Sequence, residues 1–162
     1  MPRVLFVCTG NIFRSMTAEY ALRAVLGARN DLSVESAGTD DFPHVVTSLV
    51  RNYLLACGID VSRHRRRTLT AQLLQEVGPV IAMSTDHRQI LTETFKLRDT
   101  LLFTEACGLP AEPLPDIEEA VLDYQTNPVA VERHVRATID RIIKLTPLLA
   151  HRLLTQKGDD LS

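Results

Sequence analysis

Val4-Leu5-Phe6-Val7-Cys8-Thr9-Gly10-Asn11-Ile12-Phe13-Arg14-Ser15 is a short apolar run that breaks off into turn-forming residues. Val4 to Val7, β-branched and aromatic, read as a strand buried on both faces, as in a parallel sheet. Thr9-Gly10-Asn11 ends that strand. From Ser15 a helical pattern begins, with Ala18, Ala21, Leu22, Val25 and Leu26 on one stripe and Ser15 as the expected N-cap. A loop from strand to helix is where an open α/β sheet binds its ligand.

Outward from this unit the pattern repeats. Leu32 to Ala37 reads as a second strand ending in Gly38, and Val45 to Cys57 as a helix. A shorter helix is expected over Thr70 to Val77, a buried strand over Gly78 to Met83, and a helix over Thr85 to Phe95. Thr100 to Phe103 reads as a fourth strand, and Gly108 to Pro115, with three prolines, as a loop. Pro128 suits the first position of a last helix capped by Asn127 and running to about Lys144; its passage beyond Pro147 is open. Strands alternating with helices define a single-domain α/β fold with a mostly parallel sheet covered by helices on both faces. The domain is expected over residues 1–157, with 158–162 as a loose tail.

The 162 residues are 45% hydrophobic and 23% charged, which excludes a disordered chain. No apolar stretch reaches the roughly 20 residues that a membrane helix needs, so no membrane partner is expected. Val4 to Val7 is too short for the core of a signal peptide. Eighteen Lys and Arg against 20 Asp and Glu give a net charge of −2, which argues against nucleic-acid binding. Cys8, Cys57 and Cys107 are odd in number and widely spaced, suggesting neither a disulfide framework nor a zinc site, and fit a reducing cytoplasm. His44, His87, His134 and His151 lack ligand spacing, so no metal and no cofactor is expected. Oligomeric state stays open.

The loop carries the chemistry. A helix N-terminus offers unpaired N–H groups and partial positive charge to an anion. Gly10 permits backbone conformations other residues resist, and Asn11 tolerates them. Alone, Cys8 would read as a small core hydrophobe. Beside this cradle and Arg14, negative charge on its sulfur is favoured, which makes it a nucleophile. Arg14 can fork two phosphoryl oxygens, and Ser15 can donate to the sulfur. Thr9, Gly10, Asn11, Ile12, Phe13, Arg14 and Ser15 are thus expected to bind phosphate.

With these residues in view, the chain resembles the low-molecular-weight protein tyrosine phosphatases, which share their fold with thioredoxin-linked arsenate reductases. The signature runs from Val4 to Ser15, continues in Ser36-Ala37-Gly38-Thr39, His64-x-x-Arg67-x-Leu69 and Ile81-Ala82-Met83, and weakens after about Leu97. The resemblance implies a four-stranded parallel sheet, with Ser36 and His64 supporting the phosphate loop. It implies a late aspartate as general acid: Asp116 in Leu114-Pro115-Asp116, or Asp123 beside Tyr124. Asp116 is followed by Ile117-Glu118-Glu119, where relatives carry proline and aromatics. Phe42 and Tyr124 are expected to line the substrate cleft. Phe13 stands where many relatives have a second cysteine, so Cys8 lacks that redox partner. Arg65 and Arg66, in a basic run, are expected to be solvated.

The resemblance implies a cysteine-dependent phosphatase acting on a phosphorylated protein or small aryl phosphate through a cysteinyl-phosphate. Ile12 stands where the arginine-phosphatase branch carries threonine, favouring phosphotyrosine-type esters, with phosphoarginine as an alternative. An arsenate reductase would need further cysteines, which Met83 to His87 lacks. A phosphate-binding module without turnover is the third reading.

Overall fold

β1 (Arg3–Cys8) has only buried residues from Val4 onward. Its side chains alternate between two cores: Val4, Phe6 and Cys8 enter one, Leu5 and Val7 the other. That two-sided burial is what the unbroken apolar run required. The computed structural model describes residues 2–29, 31–75 and 78–159.

β1 lies inside a sheet with β2 (Ser33–Gly38), β3 (Val80–Ala82) and β4 (Leu101–Leu102), in the order β2-β1-β3-β4 and parallel throughout. The helices are α1 (Arg14–Leu26), α2 (Ser48–Ala56), α3 (Ala71–Gln75), α4 (Thr85–Glu93), α5 (Phe103–Ala106), α6 (Ile117–Ala120) and α7 (Pro128–Asp159). Residues of α1, α2, α5 and α7 pack in the core containing Phe6; Leu91 of α4, with Leu73 and Leu74 of α3, packs in the core containing Leu5. The chain leaves β1 toward β2 on one side and returns to β3 on the other. The carboxyl end of β1 is therefore a topological switch point, where a crevice opens.

Several boundaries differ from the sequence reading. α1 starts at Arg14 behind Phe13, which makes no side-chain cap; Ser15 is not the N-cap but a buried residue of the first turn. α2 starts at Ser48, capped by Thr47 whose Oγ1 accepts from Val50 N–H at 3.3 Å, and His44-Val45-Val46 stay outside it. Val77, the expected end of the helix after Thr70, lies outside the described residues. β4 is cut short because Phe103 turns into α5 and buries its ring beside Phe6, centroids 6.2 Å apart. α7 takes the expected Asn127 cap, Oδ1 accepting from Ala130 N–H at 3.1 Å, and then runs through Pro147. An interior proline costs about 3 kcal/mol. Leu145, Leu149, Ala150 and Leu153 are all buried around it, and each large apolar side chain so buried returns roughly 1.5–3 kcal/mol. The helix wins, and it includes Gly158 and Asp159 of the expected tail; residues 160–162 lie outside the described residues. None of the helices among the described residues is long and apolar enough to cross a membrane.

Candidate active site

The loop from β1 to α1 is held by its carbonyls. Cys8 O accepts from Thr39 N–H at 2.9 Å and Thr9 O from Asp40 N–H at 3.0 Å. Gly10 O accepts from Arg66 Nε at 2.9 Å and Asn11 O from His64 Nε2 at 2.7 Å. With these oxygens pinned outward, the N–H groups of residues 9 to 12, on the opposite edges of the same peptide planes, turn into the loop, and those of residues 13 and 14 follow at the start of α1. Among the described residues none of them donates to a protein acceptor. That is an anion nest, continuous with the positive end of α1. The left-handed residue that closes it is Asn11, at φ 58°. Gly10, expected to supply that freedom, is needed for space: a Cβ there would meet the His44 ring at 3.2 Å. Gly38 is tighter still, with Thr9 O 2.5 Å from where its Cβ would be.

A directed chain of hydrogen bonds ends on the thiol. Ser36 Oγ donates to Glu19 Oε1 at 2.9 Å, so it accepts from Asn11 Nδ2 at 2.7 Å. The other Nδ2 hydrogen goes to Ser15 Oγ at 2.9 Å. The Ser15 proton is then free for Cys8 Sγ, 2.8 Å away. Asn11 Oδ1 accepts from Arg67 N–H at 3.1 Å, which fixes the amide's orientation. Burial pushes the Glu19 carboxyl up, against the pull of Arg23. His64 donates to a carbonyl from Nε2, and burial pushes its pKa down, so it serves the loop as a neutral ring.

Arg14 is a buried cation, its side chain 2% exposed. Its Nη1 donates to Leu114 O at 2.8 Å, and its Nη2 is 3.8 Å from Asp116 Oδ2, too far for a hydrogen bond. One carbonyl and a distant carboxylate leave most of its charge for an anion at the nest. Asp116 caps α6, Oδ1 accepting from Ile117 N–H at 2.8 Å, with its side chain 35% exposed. Three bonds fix the strand of loop before it: Leu114 N–H to Met83 O at 3.0 Å, Arg14 to Leu114 O, and His134 Nε2 to Pro115 O at 3.1 Å. Asp123 is exposed and accepts from Asn127 Nδ2 at 3.1 Å.

Cys8, Arg14 and Asp116 meet in one cavity of about 190 Å³, with Thr9, Gly10, Ile12 and Phe13 on its wall. His44, Thr47 and Val50 line it as well, with Ile117 and Glu118 beside Asp116. Phe42 and Tyr124 are not on this wall. Phe42 is 61% exposed and leans on His44, ring centroids 5.0 Å apart, while Tyr124 accepts from Gln125 Nε2 at 3.3 Å. Asp123 does not reach the cavity either.

Sequence alone gave no place at the site to Arg66, Glu19, His87 or His134. Arg66 is half-buried on the carbonyls of Gly10 and Asp40, contrary to the solvated arginine expected there; Arg65 is exposed. His87 is fully buried; Ser84 N–H donates to its Nδ1 at 3.1 Å, so the proton sits on Nε2 and is given to Thr9 Oγ1 at 2.8 Å. Burial, then the Arg14 charge, pushes its pKa down to about 4. Among the described residues no three His, Cys, Asp or Glu side chains group as a metal site would.

A thiol at the centre of an anion nest, with a buried arginine beside it, is built for displacement at phosphorus. That places the chain in the class of cysteine-dependent phosphatases. It belongs to the low molecular weight phosphotyrosine protein phosphatase family, whose model matches residues 3–106. The match ends before Asp116. The chain is 29% identical over 108 residues to the protein-arginine-phosphatase of Bacillus subtilis (strain 168), covering 62% of this chain and 68% of that protein. It is 32% identical over 116 residues to the low molecular weight protein-tyrosine-phosphatase Etp of Escherichia coli (strain K12), covering 70% and 75%. Among solved structures, the YwlE arginine phosphatase from Geobacillus stearothermophilus superposes with a TM-score of 0.80 at 23% identity, covering 98% of this chain and 97% of that one, a likeness of fold.

Proposed function

We propose that the chain hydrolyses phosphotyrosine-type monoesters in two steps at Cys8. The substrate is a phosphorylated protein or a small aryl phosphate. The thiolate attacks phosphorus in line, an S–P bond forms and the ester P–O bond breaks. Asp116 gives its proton to the leaving oxygen, a contribution of about 10²–10⁴-fold for this kind of acid. Water then attacks the cysteinyl-phosphate, Asp116 takes the water's proton, and the S–P electron pair returns to the sulfur under the Ser15 hydroxyl. The N–H groups of residues 9 to 14 and the Arg14 guanidinium hold the equatorial oxygens, most tightly in the transition state. Ser36 and His64 act through the loop as positioning residues.

The observation that carries this reading is the ring of unpartnered N–H groups around a sulfur that already receives a proton from Ser15. The three cysteines are free, which suits a reducing cytoplasm. Ile12 gives the cavity an apolar wall suited to an aryl ring. Phosphoarginine is the second reading, favoured by the likeness to the Bacillus subtilis protein-arginine-phosphatase; there the Asp116 proton would go to the leaving nitrogen. Phosphate release from a phosphotyrosine peptide and from a phosphoarginine peptide, with chelator present, tests both. Faster release from phosphotyrosine is expected. Release from phosphoarginine alone would reassign the substrate, and release from neither would refute the enzyme.

A further inference from the structure

A second recess, of about 260 Å³, opens beside the cavity over Cys8 and shares Ile12 and His44 with it as a common wall. Val46 and Val61 join Ile12 in its apolar lining. Its charged lining is one-sided: Arg51 and Arg66 face it, and none of its lining residues is acidic. Arg51 stands exposed in the first turn of α2, where its Nη2 donates only to Ser48 Oγ at 3.3 Å; among the described residues it has no carboxylate within ion-pair distance. Arg66 donates to the carbonyls of Gly10 and Asp40, and its charge also acts on the nearby Asp40 carboxylate, which lies outside the lining of the recess. The nearby Asp40 carboxylate is already engaged by His44 Nε2 at 2.9 Å and Phe42 N–H at 2.9 Å. Like charges around a recess with low-dielectric walls focus the field on whatever enters.

We propose that this recess is a second anion subsite, which takes a carboxylate or a further phosphoryl group carried by the substrate next to the phosphate over Cys8. The apolar lining suits the stem of an acidic side chain, and the two guanidinium groups its head. This assignment rests on the phosphatase reading only in seating a phosphate ester in the neighbouring cavity. Arg66 also holds the phosphate loop, so Arg51, which touches none of it, is the residue to change.

The test measures binding of three phosphotyrosine peptides to the Cys8→Ser protein, identical except for Gln, Glu or phosphoserine beside the phosphotyrosine. Turnover of an aryl phosphate by the wild type and by the Arg51→Gln enzyme is measured in parallel. The Glu or the phosphoserine peptide is expected to bind roughly fivefold more tightly than the Gln peptide, the upper range for an exposed charge pair. The advantage shrinks in salt and is lost in Cys8→Ser/Arg51→Gln, while aryl phosphate turnover is the same with and without Arg51→Gln. Whichever of the two anionic peptides binds better names the source of the charge. Equal binding of all three, or a preference that survives Arg51→Gln, would overturn the subsite. An idle wild type whose Cys8→Ser form keeps an Arg51-dependent preference would refute the phosphatase and leave the subsite standing.

Discussion

Ser15 has one proton and, with Asn11 already donating to its oxygen, one acceptor for it, Cys8 Sγ. Ser15→Ala removes a hydrogen bond to a charged group, worth about 1.5–3 kcal/mol. Steady-state kinetics on an aryl phosphate should show kcat lowered by about 10- to 100-fold with KM little changed. Asp116 faces the same cavity from α6. Asp116→Asn should lower kcat by about 10²–10⁴-fold, more for poor leaving groups than for good ones. An unchanged kcat would move the acid elsewhere. The grouping of Cys8, Arg14 and Ser15 was legible in the sequence because strand, loop and first turn are contiguous, and their spacing survives without a structure. Of the two aspartates that the resemblance implied, Asp116 lines the cavity and Asp123 does not. The aromatic walls were not legible, because Phe42 and Tyr124 depend on how two long loops lie, and both turn away from the cavity.

Elements meet the loop at points no periodicity announces. The segment from Arg67 to Leu69 pairs with Gly38 at the end of β2, through Gly38 N–H to Arg67 O at 2.9 Å and Leu69 N–H to Gly38 O at 2.7 Å. That pairing brings His64 and Arg66 onto the loop's carbonyls and turns a run that reads as solvated into a clamp. Gly38 is where β2 touches the loop, so Gly38→Ala must push Thr9 O away. A loss of about 1–3 kcal/mol is expected, measured by denaturant unfolding, together with weaker phosphate binding. His134 is the matching contact from α7. It donates to Pro115 O and packs edge-on against Phe13, centroids 6.5 Å apart. His134→Ala should loosen the approach of Asp116 and reduce kcat more for poor leaving groups than for good ones. Equal effects on both would make His134 a packing residue only. The start of α1 was misread because a polar residue ahead of an apolar stripe marks a cap only when its side chain is not needed elsewhere, and Ser15 is needed at the thiol. The start of α2 was placed too early because Val45 and Val46 continue its apolar pattern, whereas the cap is Thr47.

The fold class and the parallel sheet were legible because both faces of β1 are buried, which the unbroken apolar run from Val4 to Val7 shows; the strand order, and with it the switch point, is visible only in the structure. The whole molecule also sets how folding depends on pH. Burial holds His87 at about 4 against an ordinary 6.5, and lowers His64 as well. The unfolded chain takes up protons in that window that the folded one refuses, so the neutral His87 makes stability fall as pH drops from 6.5 toward 4, and its own effect is complete below that. Glu19, pushed upward, acts in the opposite sense as pH rises above its ordinary range. Thermal melts across this range should lose less for His87→Gln than for wild type; parallel curves would contradict a buried neutral His87. The central claim is the covalent step at Cys8, and the direct measurement is acid-quenched mass spectrometry during turnover of an aryl phosphate. The account predicts phosphate on the peptide that carries Cys8, and no turnover in Cys8→Ser. Turnover that persists in Cys8→Ser, or phosphate trapped on another residue of the wild type, would contradict it.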